Sequence, residues 1–142
     1  MILLDTTVLS YGVGAEHPLR EPCRRVLRAH GDGRIEATTT IEVIQEFLHV
    51  RARRRSRSDA VAHARHYVAA LSPLETRAED LEAGLTLFEG YPALGAFDAV
   101  LAAVALNRRV EALVSADRAF GEVPHLTWVD PATPNLERLI GL

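Results

Sequence analysis

Short apolar runs alternate with longer stretches of helical periodicity along this 142-residue chain. Strands are predicted where short runs are apolar or rich in β-branched residues, and helices where apolar residues recur every three or four positions. The predicted strands are 2–4, 35–39, 111–115 and 126–129. The predicted helices are 17–30, 59–71, 77–89, 96–106 and a short one around 136–140. A further long helix is predicted to begin after Thr40, a suitable N-cap, and to run into the arginines of 51–57.

This alternation predicts an α/β fold of three layers, in which helices cover both faces of a short, mainly parallel sheet. We expect one domain over residues 1–142, because no linker, repeat or low-complexity segment divides the chain. Phe47, Phe88, Phe97 and Trp128 are expected in the core. Ligands of parallel sheets bind beyond the carboxyl ends of the strands, so functional residues are expected at that edge.

Composition narrows the class of protein without naming its function. The 16 basic residues, all arginine, face 19 acidic ones, and the resulting net charge of −3 is not that of a general nucleic-acid binder. Cys23 is the one cysteine, so an intrachain disulfide is excluded and a cytoplasmic location is expected. No segment approaches the roughly 20 apolar residues that a membrane helix needs, so no membrane partner is expected.

Two carboxylates follow predicted strands. Asp5 comes directly after the first strand, and Asp117 comes just past the strand at 111–115. Because parallel strands end at one edge of the sheet, both acids are expected on that edge. Each also fits an ordinary turn or cap position, which aspartate favours.

Two further acids lie on predicted helices. Asp98 stands near the start of the apolar helix 96–106, where an unpaired carboxylate would need a metal, an arginine or backbone N–H groups. An N-cap or first-turn role is the alternative for Asp98. On the helix after Thr40, Glu46 lies about 130° from the centre of the apolar face and Glu42 about 170°. We therefore prefer Glu46 as a cleft residue and expect Glu42 in solvent.

If the fold brings these acids together, their charges repel one another. Mg²⁺ or Mn²⁺ relieves such repulsion, because hard divalent cations prefer oxygen ligands. Carboxylate clusters that hold such ions commonly serve phosphoryl chemistry.

Four segments of the chain together resemble PIN-domain ribonucleases, in particular toxins of the VapC type. The segments are ILLDTTVL at 2–9, TIEVIQEF at 40–47, FDAVLAA at 97–103 and VSADRAF at 114–120. Each motif is weak singly, but their order and spacing together are specific. The resemblance covers nearly the whole chain and implies a three-layer α/β/α PIN-like fold.

The resemblance implies a catalytic and metal-binding quartet of Asp5, Glu46, Asp98 and Asp117. Glu46 matches the family's glutamate, because it follows Thr40 by six residues and precedes a bulky apolar residue. The implied activity is endoribonucleolytic cleavage of RNA, in which a water activated by Mg²⁺ or Mn²⁺ attacks the phosphodiester. The implied partners are RNA, a second copy of the chain, and a cognate VapB-like antitoxin, which in this family often inserts an arginine or an amphipathic segment near the acids.

Hydroxyl and guanidinium side chains complete the predicted site. Thr7, Thr40 and Ser115 are predicted supporting residues; Thr7 stands where the family often has Asn or Ser, and Ser115 where it often has Thr. Either hydroxyl can orient a carboxylate or a bound water. The candidates for contact with RNA phosphates are Arg51, Arg54, Arg55 and Arg118. The run 51–57 also fits a solvated helix end or an antitoxin interface.

Two other classes of function stay open at this point. A degenerate PIN domain would bind RNA or a partner without cutting, although all four acids are present. A phosphotransfer domain would use Asp5 as nucleophile, but such enzymes commonly carry a second Asp where this chain has Thr7. Tyr11 and Tyr91 are candidates for contact with RNA bases, but nothing in the sequence favours that role over packing.

Overall fold

The computed structural model describes residues 1–141 and contains one parallel sheet. Its strands are β1 (Ile2–Leu4), β2 (Ala37–Thr38), β3 (Ala112–Val114) and β4 (Trp128–Val129). Their order is β2-β1-β3-β4, and each pairing is parallel. The predicted α/β fold is confirmed; the end of the predicted domain, residue 142, lies outside the described residues.

Helices connect and flank these strands. They are α1 (Thr6–Gly12), α2 (Arg20–Gly31), α3 (Ile41–Arg54), α4 (Arg57–Leu71), α5 (Ala78–Gly90), α6 (Ala96–Asn107) and α7 (Asn135–Ile140). A 3₁₀ turn, Arg118–Glu122, follows β3. Within residues 1–141 no helix has the length and apolar character needed to cross a membrane.

The two central strands are apolar because they are buried within the protein. Every residue of β1 and β3 is buried, as expected of parallel strands covered on both faces. The end of β2 is polar but also buried, and its hydroxyls are paired. Thr38 Oγ1 donates to the carbonyl of Leu71 (3.0 Å), and Thr39 Oγ1 donates to that of Leu4 (2.7 Å). The threonines thus satisfy backbone acceptors where the short strands end.

Two segments differ from their predictions. Helix α1 was not predicted, because Thr6, Thr7 and Val8 are β-branched and favour strands; Asp5 starts the helix instead, accepting a hydrogen bond from the Thr6 amide (2.7 Å). The long helix predicted to reach residue 57 is interrupted. It ends at Arg54, and Ser56 caps α4 by accepting from the Asp59 amide (3.1 Å).

Phe47 is fully buried, but the prediction that Phe88 and Phe97 lie in the core is wrong. Phe88 is 50% exposed and Phe97 is 71% exposed. Helix α5, which carries Phe88, packs extensively only on α6 among the described elements, so one apolar face of it stays uncovered. Phe97 lies in the first turn of α6 and lines a surface groove. Trp128 is half-buried.

Close contact and a buried ion pair hold α5 against α6. A Cβ placed on Gly84 of α5 would lie 2.9 Å from the Cα of Val100, so only glycine allows this approach. Asp80 of α5 is 0% exposed. Its carboxylate accepts hydrogen bonds from Asn107 Nδ2 (2.8 Å) and Arg108 Nη1 (3.0 Å), and from the Arg77 amide (2.8 Å). Burial alone would raise the pKa of Asp80, but these hydrogen bonds and the Arg108 charge outweigh it and lower the pKa below 3.8.

We expect Asp80→Asn to lower the free energy of unfolding at pH 7 by about 3 kcal/mol, because Arg108 loses its buried partner. A carboxyl with a lowered pKa stabilises the fold above its unfolded-state value and loses that contribution as the pH falls. The difference between wild type and variant should therefore narrow below about pH 5 in urea unfolding experiments. Glu79→Gln, an exposed acid of the same helical turn, is the control. Equal stability of Asp80→Asn and wild type at pH 7 would contradict this assignment.

Candidate active site

Asp5 lies at the carboxyl end of the central strand β1 and is 4% exposed. One carboxylate oxygen, Oδ1, accepts from the Thr6 amide (2.7 Å). The other, Oδ2, accepts from the Ser115 hydroxyl (2.6 Å) and from the Thr7 hydroxyl (3.4 Å). Asp5 is therefore both the N-cap of α1 and a carboxylate held in one orientation at the sheet edge.

The hydroxyls of Ser115 and Thr7 connect Asp5 to the segment that carries Asp117. Ser115 Oγ accepts from the Asp117 amide (3.0 Å), and Thr7 Oγ1 accepts from the Ala116 amide (3.0 Å). Trp128, on the neighbouring strand β4, donates its Nε1–H to the Ser115 carbonyl (2.9 Å). Sequence reasoning missed this contact of Trp128, because no local signal shows which residue of an adjacent strand faces Ser115.

Asp117, Asp98 and Glu46 reach the same edge from three other elements. Asp117 caps the 3₁₀ turn, its Oδ1 accepting from the Ala119 amide (2.9 Å). Asp98 is in the first turn of α6, and Glu46 is on α3, whose N-cap is Thr40. The predicted N-cap is confirmed, since Thr40 Oγ1 accepts from the Val43 amide (3.2 Å).

A cavity of about 430 Å³ is lined by all four acids, and we call it the acid cleft. Its other walls include Thr7, Tyr11, His17 and Arg54. The structure thus brings together acids that are distant in the sequence. The outermost two, Asp5 and Asp117, are 112 positions apart. Asp5 and Asp117 can cap a helical segment and also line the cleft, because the segments that they cap start at the sheet edge.

The acidic side chains that line the acid cleft outnumber its basic ones. Burial, the charge of Asp5, and a hydrogen bond with Asp117 raise the pKa of Asp98 to about 7, and the charges of Asp117 and Glu46 add to the effect. Burial also raises the pKa of Asp5, although the hydrogen bonds from Ser115 and Thr6 oppose it. Such repulsion favours either proton uptake or a bound cation.

The donor chemistry of the acid cleft fits a hard divalent cation, because every acid there offers carboxylate oxygen. In the part of the chain that the structure describes, no three Asp, Glu, His or Cys side chains already converge in a completed metal site. An ion would therefore have to draw the carboxylates closer together against their mutual repulsion.

A second cavity, of about 530 Å³, shares three of the four acids with the acid cleft, and we call it the apolar groove. Asp5, Glu46 and Asp98 line it at one end. Its apolar walls come from α3, α5 and α6, through Val43, Leu81, Phe97, Val100 and Leu101. Asp117 lines the acid cleft but does not line the apolar groove.

Glu42 also lines the apolar groove, and the expectation that it lies in solvent is wrong. Its side chain is half-buried and accepts a hydrogen bond from the Thr76 hydroxyl. The segment before α5 covers the start of α3, where the Ile41 amide donates to the Leu74 carbonyl (3.1 Å). Helical periodicity could not show this contact, because it depends on a loop that is distant in sequence.

The structure separates the predicted phosphate-binding arginines. Arg54 lines the acid cleft, and Arg55 lines a smaller cavity next to it. Arg118 is exposed directly after Asp117 and lines neither the acid cleft nor the apolar groove. The guanidinium of Arg51 is engaged elsewhere, with Nε donating to Asp59 Oδ1 (2.6 Å) and Nη1 to the Val13 carbonyl (3.1 Å). Arg51 thus links α3 to α4 through an ion pair and to the end of α1 through a hydrogen bond.

The fold and this arrangement of acids define a PIN domain. The family model described as "PIN domain" matches residues 2–126, so the chain belongs to the PIN-domain family. Ribonuclease VapC7 of Mycobacterium tuberculosis is 54% identical to this chain, with 99% of each chain covered.

Solved structures share the fold at low sequence identity. VapBC2 from Rickettsia felis, bound to a DNA fragment from its promoter, superposes with a TM-score of 0.73 and 15% identity, covering 92% of this chain and 98% of that one. A toxin–antitoxin complex from Klebsiella pneumoniae gives a TM-score of 0.69 and 18% identity, with the same coverage.

Proposed function

We propose that this chain is a metal-dependent endoribonuclease toxin that cleaves RNA in the acid cleft and is neutralised by a cognate antitoxin. The observation that carries the proposal is the acid cleft, where four carboxylates from separate elements line one cavity and raise the pKa of Asp98 to about 7. The likeness to Ribonuclease VapC7 over nearly the full chain supports ribonuclease activity.

Asp5, Glu46, Asp98 and Asp117 would hold Mg²⁺ or Mn²⁺. Such an ion lowers the pKa of bound water and neutralises charge on the phosphate. The chain's own residues supply the rest of the site. Ser115 and Thr7 fix the orientation of Asp5, while Thr40 starts the helix that carries Glu46. Arg54, on the wall of the acid cleft, binds the RNA backbone, and Arg55 extends the same positive surface. Arg118, exposed beside Asp117, is a further phosphate contact.

The burial of Asp5 speaks against a phosphotransfer role. A nucleophilic carboxylate must present a free oxygen to the phosphorus atom. Oδ1 of Asp5 accepts one hydrogen bond and keeps a lone pair for a cation, but the side chain is only 4% exposed, which closes the in-line approach to a phosphorus atom. We therefore assign Asp5 to cation binding and not to covalent catalysis.

The apolar groove is the surface that we assign to the antitoxin. The solved structures of like fold include a toxin–antitoxin complex, which supports a protein partner for this chain. A segment lying in the groove would bury Leu81 and Phe97, each at least half exposed, and would end at the acids. An apolar segment with a terminal arginine would thus cover the groove and neutralise the acid cleft.

We propose that the toxin forms a homodimer through the outer face of α5. Leu85 and Phe88 lie on that face, and each is about half exposed. Exposed apolar side chains grouped on one helix indicate an interface. We further propose that residues 1–142 work as one domain and act in the cytoplasm, where the unpaired, buried thiol of Cys23 stays reduced.

We expect the purified protein to cleave RNA only when Mg²⁺ or Mn²⁺ is present, and chelation to stop the cleavage. Asp98→Asn and Glu46→Gln should each slow cleavage at least about a hundredfold, because each removes one charge that stabilises the transition state through the cation. Glu42→Gln, on the same helix as Glu46 but outside the acid cleft, should cleave within about twofold of wild type.

A gel assay on a defined RNA measures these rates, and thermal unfolding checks the fold. Asp98→Asn should be at least as stable as wild type, because it relieves repulsion in the acid cleft. Absence of cleavage by wild type with either ion, or cleavage by Asp98→Asn at the wild-type rate, would contradict the proposed function.

Phe97→Ser and Phe88→Ser test the two partner surfaces against each other. With the cognate antitoxin as the ligand, Phe97→Ser should weaken binding at least about tenfold, since it removes an anchor of the apolar groove. Phe88→Ser should instead halve the mass of the free toxin in light scattering and retain antitoxin binding. An unchanged mass for Phe88→Ser refutes the α5 interface, and unchanged binding by Phe97→Ser refutes the groove.

A further inference from the structure

The acid cleft contains an aromatic wall that the proposed chemistry of the acids does not use. Tyr11, near the end of α1, stacks on His17, in the loop before α2, with ring centroids 4.4 Å apart and an interplanar angle of 25°. Both rings line the same cavity as the acid quartet. The stack and any phosphate bound at the acids would therefore share one cavity.

The orientation of His17 is fixed by the backbone. Its Nδ1 accepts a hydrogen bond from the Leu19 amide (3.1 Å), so the neutral ring carries its proton on Nε2. His17 is exposed although Tyr11 covers one of its faces, so part of the ring remains accessible to a ligand. Tyr11 is half-buried and packs against the core, which gives the stack a rigid base. The result is a flat, positioned ring surface with a free N–H donor at its edge.

Polar groups suited to RNA surround this stack. Arg54 lines the cleft from α3, and Thr7 lines it from α1; the carboxylate of Glu16, next to His17, also lines it. The cavity volume of about 430 Å³ lies in the range of sites that enclose one small-molecule-sized group. The apolar groove has Arg77 and Phe97 among its lining residues but no stacked pair of rings.

We propose that the Tyr11–His17 stack is a nucleobase platform, on which a base next to the scissile phosphate stacks against the His17 ring. This inference rests on the proposed ribonuclease function. Single-stranded nucleic acids bind proteins by combining base–aromatic stacking with cationic contacts to the backbone. Here His17 supplies the stacking surface, and Arg54 supplies the phosphate contact. The platform holds one unpaired base, so it selects single-stranded RNA over duplex.

The test uses the full chain and a short single-stranded RNA that contains the cut site of the wild type, located by sequencing 5′ ends. We expect His17→Ala to raise KM about tenfold, the scale of one base–aromatic stack, with kcat within about twofold. His17→Phe keeps a ring on Tyr11 and should restore KM. His66→Ala, an exposed histidine on α4 that lines neither cavity, is the matched control and should leave KM unchanged.

An abasic scan of the same RNA separates stacking from a general loss of binding. For the wild type, removal of one base beside the cut should raise KM about tenfold, whereas for His17→Ala the same removal should add no further loss. Wild-type cleavage with equal KM and equal abasic response in His17→Ala would overturn the platform and leave the proposed function standing. No cleavage by the wild type with Mg²⁺ or Mn²⁺ would overturn the proposed function, and the platform with it.

Discussion

Repulsion among four carboxylates at one sheet edge is the constraint on which the rest of this structure depends. Burial raises the pKa of Asp98 most, and the charges of Asp5, Asp117 and Glu46 raise it further. The fold tolerates this charge because hydroxyl and amide donors from Ser115 and Thr6 hold Asp5 in place. A protein folded only for stability would replace such acids, so their concentration at the carboxyl ends of parallel strands indicates function.

The elements around the acids divide the surface into two regions with different chemistry. One, the acid cleft, combines Asp117, Arg54 and the Tyr11–His17 stack. The other, the apolar groove, runs between α3, α5 and α6. Helix α6 contributes Asp98 to both, and its position depends on α5, which is held to it by the Asp80–Arg108 ion pair and by close contact at Gly84. The same acids thus line two cavities of different chemistry.

Sequence reasoning predicted what local pattern controls and missed what distant contacts decide. Apolar runs located the strands, and Thr40 located the start of α3, because strand burial and capping are local effects. Helix α1 was not predicted, because the Asp5 N-cap overrides the strand preference of its threonines. Phe97 and Glu42 were misplaced because periodicity gives the face of a helix but not what covers it. The acids were predicted from the motif resemblance and, for Asp5 and Asp117, from their strand-end positions, whereas the contact of Arg51 with Asp59 depends on how α3 and α4 pack and has no local sequence signal.

The central claim is that the acid cleft is a site for a divalent cation. Calorimetric titration of the metal-free protein with MnCl₂ tests it directly and without RNA. We predict saturable binding by the wild type, a loss of affinity of at least about tenfold in Asp5→Asn and in Asp117→Asn, and unchanged affinity in Glu42→Gln. Absence of binding by the wild type, or equal affinity in Asp5→Asn, would contradict the account.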